Sequence, residues 1–303
     1  MSSSRAAAPG TPTFGQWVEA ARPRTLPLSV SPVVAGSAMA YTYHGFALLP
    51  AILALLVSVS LQIGVNYAND YSDGIRGTDA NRVGPMRLVG SGIARPVLVR
   101  RAAFGSFAVA LAFGLVLLLV SRQWWLVPAG IAAVLAAWFY TGGRRPYGYL
   151  GLGEVFVFIF FGPVAVLGTT ATQLGRITVA AVLVSVGIGL LADAVLVVNN
   201  LRDIPGDTEA GKRTLATRIG DRATRLLFAG LAVAAAIAFV ITAALTSWWA
   251  LLALLGVAFL VPQLLVVLRG AVGPQLIPAL KVAGQASLFS ALGLALGQLV
   301  SRL

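Results

Sequence analysis

The chain has no cysteine, one histidine and ten carboxylates among 303 residues. Without cysteine there is no disulfide, no thiolate metal site and no thiol nucleophile. His44 alone cannot build a multi-histidine metal site. Charge is scarce as well: 11% of residues are Asp, Glu, Lys or Arg, less than half the ~25% of an ordinary globular domain. Apolar residues make up 58% of the chain and the mean hydropathy is +0.88. Runs of about 20 residues with few or no charges recur, which is the length needed to cross a hydrocarbon core. No polar segment is long enough to fold by itself. The chain therefore reads as an all-α polytopic membrane protein. One transmembrane domain covers 14–303, and a disordered tail rich in Ser, Ala, Pro and Gly covers 1–13. The tail lacks the basic-then-apolar-then-small order of a signal peptide.

Apolar run length predicts nine spans, near 26–43, 47–68, 98–120, 124–141, 152–171, 177–200, 222–245, 248–268 and 280–300. A short amphipathic surface helix over 14–22 precedes them. With the N-terminus inside, all but Arg122, Arg176 and Arg302 of the 22 basic residues fall on inner segments. So one-sided a split sets the orientation and requires an odd number of spans. It also gives the net charge of +12 a membrane explanation, beside anionic lipid in the cell membrane, rather than a nucleic-acid one. Trp124–Trp125 and Trp248–Trp249 then lie at the outer interface, where indole rings concentrate. The Trp pairs and two Asn/Asp stretches recur at matching places. Spans 1–4 and 5–8 are thus expected to be parallel pseudo-repeats with a ninth helix added, set around a central cavity.

The scarce acid is unevenly placed. Asp70, Asp73, Asp79, Asp203, Asp207 and Glu209 fall in two short windows, each closing the second span of a repeat. On a continuing helix Gln62, Asn66, Asn69, Asp70 and Asp73 share one face, spaced by three or four. Asn199, Asn200, Asp203 and Asp207 repeat the pattern. Carboxylates so close together repel and are costly beside hydrocarbon, and a divalent cation relieves both costs. Hard oxygen ligands suit magnesium, which takes one or two carboxylates plus water and substrate phosphate. Lys212, Arg202, Arg76 and Arg82 put cations near these acids, as a metal-bound polyphosphate requires. The turn Tyr140-Thr-Gly-Gly-Arg144-Arg145-Pro-Tyr147-Gly-Tyr149 joins spans 4 and 5 and would add phosphate-binding arginine and an aromatic lining. Asp193 lies nearly two turns deeper than Asn200 on roughly its face, and an ionisable group at that depth is a functional candidate. The expectation is one magnesium diphosphate site made from two halves, both facing the cytoplasm.

Asn69-Asp70-x-x-Asp73, Asp203-x-x-x-Asp207 and the nine-span hydropathy resemble the UbiA-type intramembrane prenyltransferases. Three blocks narrow the resemblance to 1,4-dihydroxy-2-naphthoate polyprenyltransferases. They are Asn66–Asp73 with Arg76-Gly-Thr-Asp79 and Arg82-Val-Gly-Pro85; Tyr140-Thr-Gly-Gly with Pro146–Glu154; and Asn199–Ile204 with Gly211–Leu215. The resemblance runs from about residue 22 to 300. It implies transfer of a polyprenyl chain from polyprenyl diphosphate to 1,4-dihydroxy-2-naphthoate, with loss of diphosphate and carbon dioxide, in menaquinone biosynthesis. It implies two Mg2+ ions held by Asp70, Asp73, Asp203 and Asp207 with help from Asn66 and Asn199. Lys212, Arg202, Arg144 and Arg76 would hold the outer phosphate oxygens, and Arg22 or Arg24 the acceptor carboxylate. Asp79 stands six residues past Asp73 where the wider superfamily has four, which leaves its role as a ligand open. The rivals are the same chemistry on another acceptor such as 4-hydroxybenzoate, and a cation-coupled transporter. A transporter sets its site near the midplane, whereas here only Asp193 is deep. No obligate protein partner is evident.

Overall fold

The computed structural model describes residues 11–77 and 86–303. Arg82, Asp79 and most of the expected tail lie outside them. Among the described residues there is no strand. A surface helix, α1 (Phe14–Ala20), comes first. The spans are α2 (Pro27–Thr42), α3 (Leu48–Arg76), α4 (Pro96–Ser121), α5 (Trp124–Phe139), α6 (Gly153–Leu174), α7 (Val179–Glu209), α8 (Leu215–Leu245), α9 (Trp248–Leu268) and α10 (Ile277–Val300). These helices overlie the nine predicted segments, though not all are long enough to be spans by themselves. Six of them, α3, α4 and α6–α9, are by themselves long and apolar enough to cross a membrane, as is α10 taken with its leading turn; α2 and α5 are shorter. The protein is a multi-pass membrane protein.

The helix ends follow local chemistry. Thr13 and Gln16 form a reciprocal capping box at α1. Thr178 and Thr214 cap α7 and α8 through their hydroxyls. Proline opens α2 and α4, where the missing N–H has no helical partner to lose. Gly77, at φ 71°, stops α3 in the left-handed conformation that glycine adopts at least cost. Both α3 and α7 run well past the predicted ends of their spans, to Arg76 and Glu209. The acidic stretches therefore lie on continuous helix.

The pseudo-repeat shows in the packing: α3 lies along α4 as α7 lies along α8. The last helix, α10, packs on α2, α7 and α9, and so joins the beginning of the chain to its end. Of the long spans α7 is the most deeply buried. The outward faces are apolar, with Leu111, Leu115 and Leu119 of α4 about half exposed. That pattern belongs to helices whose solvent is lipid, because hydrocarbon offers nothing to a polar side chain. Helix α6 departs from a regular α-helix. Phe160–Leu167 forms a π-helix around Pro163. The proline has no N–H to give the carbonyl four residues back, so the ladder widens there.

Candidate active site

The C-terminal end of α3 is buried and polar. Asn66, Asn69, Asp70 and Asp73 are each buried. Asn66 donates to the carbonyl of Ala21 at 2.9 Å and to Thr25 Oγ1 at 3.1 Å, and Gln62 donates to the same hydroxyl. These bonds, with that from Tyr67 Oη to the Trp17 carbonyl, fix the α1–α2 connection to the site. Asn69 accepts from Thr141 Oγ1 at 2.8 Å. The two oxygens of Asp70 accept from the backbone N–H groups of Leu88 (2.7 Å) and Val89 (3.0 Å). The returning segment can come this near because residue 74 is glycine: a Cβ there would stand 2.4 Å from Val89 Cγ1. Asp73 takes a bond from Arg87 at 3.2 Å on one oxygen and from Tyr149 Oη on the other. Arg22 and Arg87 act electrostatically on Asp70.

The C-terminal end of α7 forms the second half. Arg202 grips both oxygens of Asp203, each at 2.7 Å, and also donates to Asn199 Oδ1 at 2.9 Å. Asn199 in turn reaches Asp203 Oδ2 at 3.4 Å. Asp207 faces Lys212 at 3.7 Å, and the Lys212 backbone N–H bonds to the Asp207 carbonyl. Asn200 turns to α6 and donates to Glu154 Oε1 at 2.9 Å. Two turns deeper, Asp193 is buried and has no hydrogen-bond partner on Oδ1.

The loop between α5 and α6 joins the halves. Arg76 donates to the carbonyls of Thr141 and Gly143, so the end of α3 holds the start of that loop. Tyr147 stacks on Phe156 with centroids 4.0 Å apart, meets Tyr140 edge-on, and donates to the Ala136 carbonyl. Burial pushes its phenol up from the ordinary range, so it remains a neutral donor. The Tyr149 ring lies under the Lys212 ammonium at 4.6 Å and the Arg76 guanidinium at 5.5 Å.

Most of the residues expected from the sequence are gathered here. Asn66, Asn69, Asp70, Asp73, Arg76 and Arg22 belong to the first half, and Asn199, Asn200, Arg202, Asp203, Asp207 and Lys212 to the second. Tyr140 lines the joint, where its hydroxyl approaches Gly153. Arg24 and Arg144 are exposed, and Asp193 stands apart in depth. The sequence reading missed Arg87 and Glu154 as members, and it offered Tyr149 as part of an aromatic lining without its bond to Asp73. Arg87 reads as one more inner-side arginine; Glu154, an acid opening a span, carried a signal.

Among the described residues no three carboxylates or imidazoles converge on one point. The acids come as two pairs, each already beside a cation. That donor set suits a hard divalent ion whose remaining positions are filled by water or phosphate, which is how magnesium is usually held.

The fold and sequence have known counterparts. The model of the UbiA prenyltransferase family matches residues 29–275. A 1,4-dihydroxy-2-naphthoate octaprenyltransferase of Mycobacterium tuberculosis is 50% identical over 292 residues, covering 95% of this chain and 99% of its own. The protein of that name in Escherichia coli is 37% identical over 295 residues, covering 93% and 96%. Among solved structures, a UbiA homolog from Archaeoglobus fulgidus bound to GPP and Mg2+ superposes with a TM-score of 0.66 at 15% identity, over 95% of this chain and 100% of that one. On these grounds the chain belongs to the UbiA prenyltransferase family.

Proposed function

We propose that the protein transfers a polyprenyl chain from polyprenyl diphosphate to 1,4-dihydroxy-2-naphthoate, releasing diphosphate and carbon dioxide and giving a demethylmenaquinol, the reduced form of demethylmenaquinone. The observation that carries the reading is similarity along the full chain to bacterial enzymes named for that acceptor. The two acidic helix ends, meeting at one loop, are the feature such chemistry needs.

Asp70 and Asp73 with Asn66, and Asp203 and Asp207 with Asn199, would hold two magnesium ions. Bound there, the metal would draw charge onto the departing diphosphate. Lys212, Arg202, Arg76, Arg82 and Arg144 would take the outer phosphate oxygens. The allylic C–O bond breaks with its electron pair on diphosphate. The helix wall keeps water from the allylic cation. The ring carbon supplies the pair for the new C–C bond, and the carboxylate leaves as carbon dioxide, returning its pair to the ring. Arg22 is half-buried whereas Arg24 is exposed, which makes Arg22 the better of the two candidates for the acceptor carboxylate. Asn69, Asn200, Tyr140 and Asp193 would line the acceptor and the first isoprene units. The charge bias of the loops supports a cytoplasmic site in the cell membrane.

Purified protein in detergent, given magnesium, radiolabelled polyprenyl diphosphate and each aromatic acceptor in turn, tests this. Prenylated naphthoquinol with matching carbon dioxide is expected. Product only with 4-hydroxybenzoate would move the assignment to that acceptor. No diphosphate release with any acceptor from intact protein would refute the enzyme.

A further inference from the structure

Tyr149 is anchored to one half of the site and reaches into the other. Its backbone belongs with the α7–α8 connection. The Tyr149 carbonyl accepts from Arg213 N–H at 3.0 Å, and the Leu150 carbonyl accepts from Arg218 Nη2 at 2.9 Å. Gly151, at φ 73°, lies so near this connection that a Cβ would sit 3.1 Å from the Arg213 carbonyl. The hydroxyl crosses to the α3 half and donates to Asp73 Oδ1, while Arg87 holds Oδ2. The ring face stays with the α7 half, with the Lys212 ammonium 4.6 Å from its centroid and Asp207 3.7 Å from the same ammonium. The chain Asp73–Tyr149–Lys212–Asp207 thus runs unbroken across the site.

We propose that Tyr149 is the positioning residue that couples the two acidic half-sites, its hydroxyl aiming Asp73 and its ring holding Lys212. The two parts of one side chain then act on different ligand groups. A donor bonded to one carboxylate oxygen fixes which lone pairs face a cation, and removing such a supporting bond costs roughly 10–100-fold in metal affinity. A π face holds an ammonium where phosphate oxygens can reach it, through the ring quadrupole. The α3 half accordingly depends on the hydroxyl and the phosphate cation depends on the ring. This rests on the metal–diphosphate reading above.

The test separates hydroxyl from ring and needs no turnover. Mn2+ binding to detergent-purified protein is followed by the loss of the free-ion EPR signal. A non-hydrolysable geranyl thiolodiphosphate is titrated calorimetrically at saturating magnesium. Tyr149→Phe keeps the ring, and should weaken Mn2+ binding about 10-fold or more with analogue affinity within about twofold of wild type. Tyr149→Leu removes both, and should also weaken the analogue by about threefold or more. Wild-type Mn2+ affinity in Tyr149→Phe overturns the proposal, and so does a Leu variant that matches the Phe variant on both ligands. If the Leu variant does not fold, the Phe result alone decides. A wild-type protein that binds neither ligand overturns the metal–diphosphate reading itself, and this inference with it. Normal wild-type binding with unaltered variants removes only the role of Tyr149.

Discussion

The carboxylates of the proposed site are held in hydrogen-bond and ion-pair networks, so a mutation there changes a structural contact together with the proposed metal role. Arg202 and Asp203 are the clearest case, with 5% and 19% of their side chains exposed. Asp203→Asn leaves a buried guanidinium facing a neutral amide, and breaking a buried pair from one side costs about 3–5 kcal/mol. The variant should lose turnover and melt early. Adding Arg202→Gln should restore much of the melting temperature and none of the turnover, and a double-mutant cycle in detergent measures the coupling. Asp70→Asn presents an amide N–H₂ to one of two backbone donors, Leu88 and Val89. Losing a charged hydrogen bond costs about 1.5–3 kcal/mol. Its melting point should fall with its activity, whereas a residue whose role is confined to the metal would lose activity alone. Asp193→Asn keeps the shape and exchanges the carboxyl group for an amide. If its free oxygen meets an acceptor hydroxyl, KM for the acceptor should rise about tenfold or more, with KM for the donor unmoved. The acids and asparagines of the site were readable because they are so rare in this chain. Arg87 and the bond from Tyr149 to Asp73 were not, since many inner-side arginines and interfacial tyrosines look the same until the chain folds back on α3.

Helices set these side chains in place through backbone-close packing. Gly162 of α6 lies against α7, where a Cβ would come within 2.5 Å of the Ser185 carbonyl, and Gly297 of α10 lies 2.1 Å by the same measure from the Trp249 carbonyl. Small residues at such crossings are how helices associate where lipid offers no hydrophobic drive. Gly297→Ala should therefore destabilise the protein by about 1–3 kcal/mol through overpacking. Gly230, inside α8 with open space around it, should gain about 0.5–1 kcal/mol on change to alanine. Thermal melts of the two variants in one detergent give opposite signs if the packing is right. Run length located the elements, because a bilayer demands a minimum apolar stretch. It did not reveal how far α3 and α7 extend past the hydrocarbon, since a polar helix end and a polar loop have the same composition. The π-turn of α6 was equally hidden: a lone proline in an apolar run is compatible with a kink, a break or a wider turn.

At the scale of the whole molecule, the absence of cysteine makes the orientation directly measurable. Thr208 and Ser301 are exposed, one at each predicted face. In Thr208→Cys and Ser301→Cys, a membrane-impermeant maleimide applied outside intact cells should label only Ser301→Cys. In inverted vesicles it should label only Thr208→Cys. Label on Thr208→Cys from outside would reverse the topology and the side from which the diphosphate arrives. What the sequence determined by itself was the solvent, the positions of the long apolar helices and the two acidic helix ends, and it predicts the orientation that the labelling would test. Each depends on composition along a single segment: apolar length against bilayer thickness, and charge against the cost of crossing it. Tertiary structure alone decided which partner each carboxylate has. Asp70 with the Leu88 and Val89 amides, Asp73 with Arg87 and Tyr149, and Asn200 with Glu154 are pairings between segments 14–76 residues apart. No local period encodes such contacts, because they depend on how loops and helices from both repeats fold back around one buried end.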